Sequence, residues 1–204
     1  MLVRLIVATF LAVGLAGCVT VSNPLTLEQR EALRLASVAV EVDPAATLWW
    51  GDGDRAYARS KSLPETESEA LSKTPEARAF IAKAASGKIA AALERELRPA
   101  LTGQQPVKVM VTLRNLRVTS IIQRILVGGP HEMTADVTVV DAKSGRPVLS
   151  YPGLRAVARA GEGIGGTLVD AAFMPDPIDR LTGNFAEDFT SWLLQRPGPT
   201  PPPK

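Results

Sequence analysis

Apolar and polar positions change period several times along the chain, and each change marks an element. Leu35, Ser37, Ala39 and Glu41 alternate with Ala36, Val38, Val40 and Val42, and this run of small and β-branched residues ending at Asp43-Pro44 predicts a first strand. Ahead of it, Leu25 to Leu33 predicts a helical turn or two. Between Ala45 and Lys73 the pattern dissolves around Trp49-Trp50-Gly51-Asp52-Gly53-Asp54 and then a glutamate-bearing polar stretch. This predicts a long loop or broken helix, and a loop of that length is either functional or mobile.

Thr74-Pro75 opens the clearest helix, with Thr74 as N-cap, Pro75 at the first helical position and Glu76 where a negative charge suits the helix dipole. Ile81, Ala85, Ile89, Leu93 and Leu97 recur every four residues, with Phe80, Ala84 and Ala92 beside them, so one stripe is predicted to be buried as far as the stop at Pro99. Gly87 inside this helix costs about 1 kcal/mol relative to alanine. It reads as a place where another backbone comes close.

After Gly103 the period becomes two. Val107, Val109, Val111 and Leu113 share one face of a strand, and the phase shifts at Asn115, which predicts a bulge. Gly128-Gly129-Pro130 turns the chain into a third strand bearing Met133, Ala135, Val137 and Val139. Asp141-Ala142-Lys143-Ser144-Gly145 then supplies a hairpin loop with glycine where positive φ is needed. A fourth strand runs from Val148 to about Ala160 with a break at Pro152-Gly153, and a helix from Pro177 to about Gln195 carries Ile178, Leu181, Phe185, Phe189, Trp192 and Leu193 on one face. The order strand, helix, three strands, helix predicts a two-layer α+β domain: a largely antiparallel sheet of about four strands, read as a meander, covered on one face by two helices. Its boundaries are 25 and 195, with 45 to 73 inserted as a loop and a proline-rich tail from 196 to 204 expected to be extended and disordered.

The N-terminus changes the picture. Arg4 precedes an apolar run from Leu5 to Leu15, too short for a lasting bilayer span, and the run ends at Leu15-Ala16-Gly17-Cys18, which contains the chain's single cysteine. These four residues resemble the lipobox of bacterial lipoprotein precursors. The resemblance implies that Cys18 receives a diacylglycerol, that residues 1 to 17 are cleaved, and that 18 to 24 form a lipidated tether. With two or three acyl chains, each buried methylene contributing about 0.8 kcal/mol, attachment is long-lived. Val19 follows the cysteine in place of the aspartate that resembles an inner-membrane retention signal, so the implied destination is the periplasmic face of the outer membrane. The element order, the stretch Val107 to Leu113 and the hairpin Val139 to Gly145 further resemble small envelope lipoproteins. These include the auxiliary lipoproteins of lipid-transport ABC systems and the lipopolysaccharide-assembly lipoprotein. The likeness spans residues 35 to 195, departs at the 45 to 73 insertion, and carries over no binding residue.

Charge excludes one class of partner. The formal net charge of +2 falls to about +1 once Arg4 is removed, and the scattered Lys and Arg residues form no basic stripe, which argues against nucleic acid. Catalytic and metal chemistry find little footing. His131 is the only histidine, no G-x-S-x-G elbow is present, and His131 follows Gly129-Pro130 in what reads as a turn, so it is expected to be a satisfied or exposed turn residue. Gly161, Gly163 and Gly166 spell G-x-G-x-x-G, but too little chain follows for a βαβ unit, so they read as a flexible glycine loop. Asp52-Gly53-Asp54 mimics the start of a calcium loop whose fifth and twelfth positions would be Ala56 and Leu63, neither a ligand, and reads as an ordinary turn.

What remains is a non-enzymatic protein without cofactor or metal, anchored by Cys18 and expected to work as an accessory or assembly subunit beside an envelope protein. The alternative is a lipid-binding or lipid-transfer module whose helices and sheet enclose an acyl chain. Trp49 and Trp50 are the candidate contact surface, because adjacent rings in an extended segment cannot both point inward. Packing of the loop over the sheet is the competing role. Trp50, next to Gly51-Asp52-Gly53, is the favoured exposed ring.

Overall fold

The computed structural model describes residues 21–65, 73–119, 129–159, 165–166 and 174–196. Among these residues the elements follow in the order α1 (Leu27–Ala32), β1 (Leu33–Trp50), α2 (Gly51–Ser60), α3 (Pro75–Leu97), β2 (Gln105–Val118), β3 (His131–Asp141), β4 (Pro147–Ala158) and α4 (Pro177–Leu194). The strands form one sheet in chain order, β1-β2-β3-β4, and α3 and α4 lie side by side over one face of it. This is the expected α+β architecture, with one correction. β2, β3 and β4 form the antiparallel meander, but β1 pairs with β2 in parallel. The cause is the intervening helix: α3 carries the chain back to the end where β1 began, so the next strand must run the same way.

Local signals explain the element ends. Thr74 accepts from the Ala77 N–H, and Asp176 accepts from the Ile178 N–H ahead of Pro177. Thr26 and Gln29 complete a reciprocal capping box on α1. In the β3–β4 hairpin the Asp141 carboxylate accepts the Lys143 and Ser144 N–H groups and the Ser144 hydroxyl, while Gly145 takes a φ of 70°. The register shift between Leu113 and Asn115 places the anticipated bulge in β2.

The core fills the space between helices and sheet. Ile89, Leu93, Leu97, Phe185 and Phe189 from the helices meet Val107, Val109, Leu113, Leu116, Met133 and Val137 from the strands, all fully buried. Gly103 is required where the chain re-enters the sheet, because a Cβ there would come within 2.3 Å of the Ala32 backbone.

Several expectations are corrected. The segment from 45 onward is not a loop as far as residue 60. Pairing of β1 breaks at Asp43–Ala46, where proline interrupts the ladder, then resumes at Thr47 and continues to Trp50 before α2 begins. The Arg78 guanidinium donates to the Pro44 and Ala46 carbonyls left over at the break, at 2.9 Å each. Phe80 lies off the buried stripe of α3 and is 37% exposed, and Gly87 has nothing within 4 Å of an added Cβ, so no backbone approaches it. His131 is not in a turn. It opens β3, fully buried, and its Nδ1 accepts from the Thr119 N–H at 3.2 Å. The lipobox with Cys18, the glycines at 161 and 163 and the tail from 197 lie outside the described residues.

Candidate functional site: the open face and its tryptophan

Because side chains alternate across a strand, the sheet has a second face, and no described helix covers it. Its side chains are exposed or half-buried: Lys108, Thr112, Arg114 and Arg117 from β2, Glu132, Thr134, Asp136 and Thr138 from β3, Ser150 and Arg155 from β4. The two tryptophans divide between the faces. Trp49 stands opposite Arg117 and is 38% exposed, whereas Trp50 stands opposite the buried Val118 and is 7% exposed. The expected order is thus reversed. The glycine turn that was to free Trp50 buries it, since α2 starts at Gly51 and Gly53 lies against the indole, where a Cβ would sit 2.7 Å from the ring.

The Arg117 guanidinium lies 4.8 Å from the centre of a Trp49 ring, a cation–π contact on the open face. Arg117 pairs in register with Glu132, and Arg155 reaches the Glu132 carboxylate at 2.7 Å. Arg114 projects beside the β2 bulge and bridges Asp43 of β1 to Asp136 of β3. Burial pushes Asp136 up, but the Gly153 N–H and Arg114 outweigh it and hold the carboxyl below its ordinary range; Asp136, in turn, by hydrogen bond and charge, raises Arg114. The face is therefore a lattice of fixed, mixed charges with one aromatic ring. Such pairs contribute little to stability at a surface, and they orient what they hold.

α2 carries Asp52 and Asp54 in its first turn. Asp52 pairs with Arg55, and Asp54 is pushed up from 3.8 to about 6 by burial, with Arg55 pulling the other way. The pair forms a helix start rather than a calcium-loop start. Among the described residues no three His, Cys, Asp or Glu side chains converge in a way that could hold a metal ion.

At the opposite end of the sheet the segment around α1 is locked to the end of α4. The C-terminal carbonyls of α4 have no partners within the helix. Asn23 Nδ2 donates to the Trp192 and Leu193 carbonyls at 3.0 and 2.8 Å, Arg30 donates to the Leu194 carbonyl, Gln195 donates to the Asn23 carbonyl at 2.9 Å, and the Trp192 indole N–H donates to the Val21 carbonyl at 2.9 Å. The positive Arg30 also suits the negative end of the helix dipole. Residues 21 to 26 are therefore a clamp, and its first four belong to the stretch 18 to 24 that the sequence suggested as a tether. Its only local sign was the Thr26-x-x-Gln29 box; the partners 170 residues away left none. Since β1 runs from this end to Trp50, the clamp and Trp49 occupy opposite poles.

No family model matches the chain, and comparison with curated proteins finds no relative. Among solved structures, it is similar to a protein described as "a putative lipoprotein from Caulobacter crescentus CB15", at 16% identity over 54% of this chain and 81% of that one, with a TM-score of 0.33. It is also similar to the dodecamer of a PelC variant from Paraburkholderia phytofirmans, at 14% identity over 87% and 94%, with a TM-score of 0.36.

Proposed function

We propose that this chain is a lipid-anchored envelope protein, a non-enzymatic accessory or assembly subunit that presents its open sheet face to a protein partner. The observation that carries the reading is the opposition of the two poles. Only Val19 and Thr20 separate Cys18 from the clamped Val21, a reach of about 11 Å at full extension. An acyl group on Cys18 therefore holds the clamp pole against the bilayer and turns Trp49, Arg117 and α2 toward the periplasm. Val19 after the cysteine favours the outer membrane as the site of attachment. Trp49 is the anchor of the contact, since a half-exposed indole fixed by a guanidinium is the type of side chain that dominates binding hot spots.

A photocrosslinking residue at position 49, introduced into the full chain in cells, tests the contact. We expect one discrete adduct, weakened by Arg117→Ala, with none from the same group at Glu28 beside the clamp. Adducts at both positions, or at neither, would overturn the reading of the face. Anchoring is tested separately by a palmitate analogue: the wild type should take up label and Cys18→Ser should remain an unprocessed, unlabelled precursor. A labelled serine variant of mature mass would reject the lipoprotein assignment.

A further inference from the structure

Gly87 stands in the middle of a 23-residue helix, where glycine weakens the helix, and the fold gives no packing reason for it, because nothing lies within 4 Å of the position of its missing Cβ. What the glycine does is keep a groove open. Between the outer sides of α3 and α4 lies a cavity of about 640 Å³, within the range of small-molecule sites. Its floor is Ala84, Gly87 and Ala91, and Phe80, more exposed than any other side chain of the α3 apolar set, stands at one end. The rim is cationic. Lys83, Lys88 and Arg95 line it with one carboxylate, Asp179, which Lys88 meets at 2.5 Å, while Arg95 also reaches Glu96, outside the groove lining, at 3.6 Å. Arg95 leans across the groove, its Nη2 lying 3.8 Å from where a Cβ on Gly183 of α4 would stand, and among the described residues Lys83 makes no ion pair.

From these features we infer that the α3–α4 groove binds a single-chain amphiphile with an anionic head, such as a long-chain carboxylate. An apolar floor without branched side chains accepts a flexible methylene chain, and the excess of rim cations complements one negative head. The dimensions agree. Phe80 and Arg95 are 15 residues apart on one helix, about 22 Å at 1.5 Å per residue, against about 15 Å for one acyl tail spanning half a bilayer core. Lys88 needs only to exchange Asp179 for the incoming carboxylate. This site lies outside the helix pair, apart from the filled core and from the open sheet face, and it stands whether or not Cys18 is acylated.

The test uses the purified full chain in a nonionic detergent and a 16-carbon carboxylate bearing a diazirine on its chain, with labelled peptides mapped by mass spectrometry. We expect labelling within 80–95, competed by unlabelled palmitate, and poorly competed by the 16-carbon alcohol. Gly87→Trp starts from a Cβ with nothing within 4 Å and projects its ring into the groove, so it should cut labelling about tenfold while leaving the melting temperature at or above wild type. Lys83→Gln combined with Arg95→Gln should abolish the preference for carboxylate over alcohol. Undiminished labelling in Gly87→Trp would overturn the inference. So would a concentration-dependent dimer that Gly87→Trp abolishes, which would give the groove to a second copy of the chain.

Discussion

The two faces of one sheet are built from alternate residues of the same strands, yet they do different work. On the covered face, Val107, Val109, Leu113, Met133 and Val137 are sealed under α3 and α4 and supply the burial that holds the domain together. On the open face, Arg114 pairs laterally with Asp43 and Asp136, Arg155 with Glu132, and Arg117 lies over Trp49, and these residues bury little. The adjacent tryptophans turn this into an internal control: one residue step moves the same side chain from the interior to the surface. Stability thereby rests on one side of a single layer and the proposed recognition on the other, and substitutions can interrogate one without the other.

The largest effect belongs to the covered face. Trp50→Ala removes a large ring packed against the core and on Gly53, and should cost about 3 to 5 kcal/mol in denaturant unfolding. A loss comparable to that of Trp49→Ala would erase the distinction between the faces. Gly53→Ala asks whether the ring is as firmly seated as its geometry requires. Its new methyl would stand 2.7 Å from the indole, and displacement of a core ring should cost about 1 to 3 kcal/mol.

The sequence carried the covered face well and the open face poorly, for a physical reason. Burial under a helix imposes strict alternation, so β2 and its bulge at Asn115, the β3–β4 hairpin and the α3 stripe could all be read from period and turn chemistry. The open face obeys no such rule; its organisation lies in lateral partners such as Arg114 with Asp43 and Asp136, drawn from three strands. The orientation of Trp49 and Trp50 was missed because the segment from Ala45 reads as a loop; once β1 is continued across Asp43–Ala46, Val42, Leu48 and Trp50 keep one parity, opposite the buried Leu113, Leu116 and Val118. Parallel pairing of β1 was equally hidden, since it depends on α3 returning the chain. The clamp needed both termini at once, so local pattern could show only its capping box.

Loss of the clamp should be smaller than loss of Trp50 but clear. Asn23→Ala strips two α4 carbonyls of their donor and should cost about 1 to 2 kcal/mol, with faster amide exchange in the last turn of α4. No change in exchange there would mean that the helix end is capped without it.

A pH series separates the regions further. Asp54 titrates near 3.8 when unfolded and near 6 when folded, so the native state binds the extra proton between those values. Its effect on stability therefore rises as pH falls from 7 toward 4, and the ionised carboxylate is unfavourable at neutral pH. Burial raises Asp188 in the same sense, with Glu187 adding to it, whereas Asp136, held low, stabilises above its ordinary range and loses that contribution as pH falls through its folded value. Asp54→Asn should raise the melting temperature at pH 7.5 by about 2 to 4 °C, the scale of one kcal/mol in a domain of this size, and flatten the rise toward pH 5. An unchanged slope would assign the acid response to Asp188.

The smallest stability effect is expected at Trp49, and its smallness is informative. The ring is 38% exposed, rests on the sheet surface, and has the Arg117 guanidinium as its polar neighbour, a contact of about 0.5 to 1 kcal/mol at an exposed site. Trp49→Ala should therefore shift unfolding by no more than about 1 kcal/mol, and Arg117→Ala by a similar or smaller amount. Because the two residues touch, the double variant should cost less than the sum of the singles, the difference being their coupling. If Trp49→Ala alone cost several kcal/mol, the indole would belong to the core after all and the open face would lose its one aromatic anchor. If it cost almost nothing, nothing in the fold itself would account for an indole on a charged, uncovered face, and the pressure for it would have to come from what docks there.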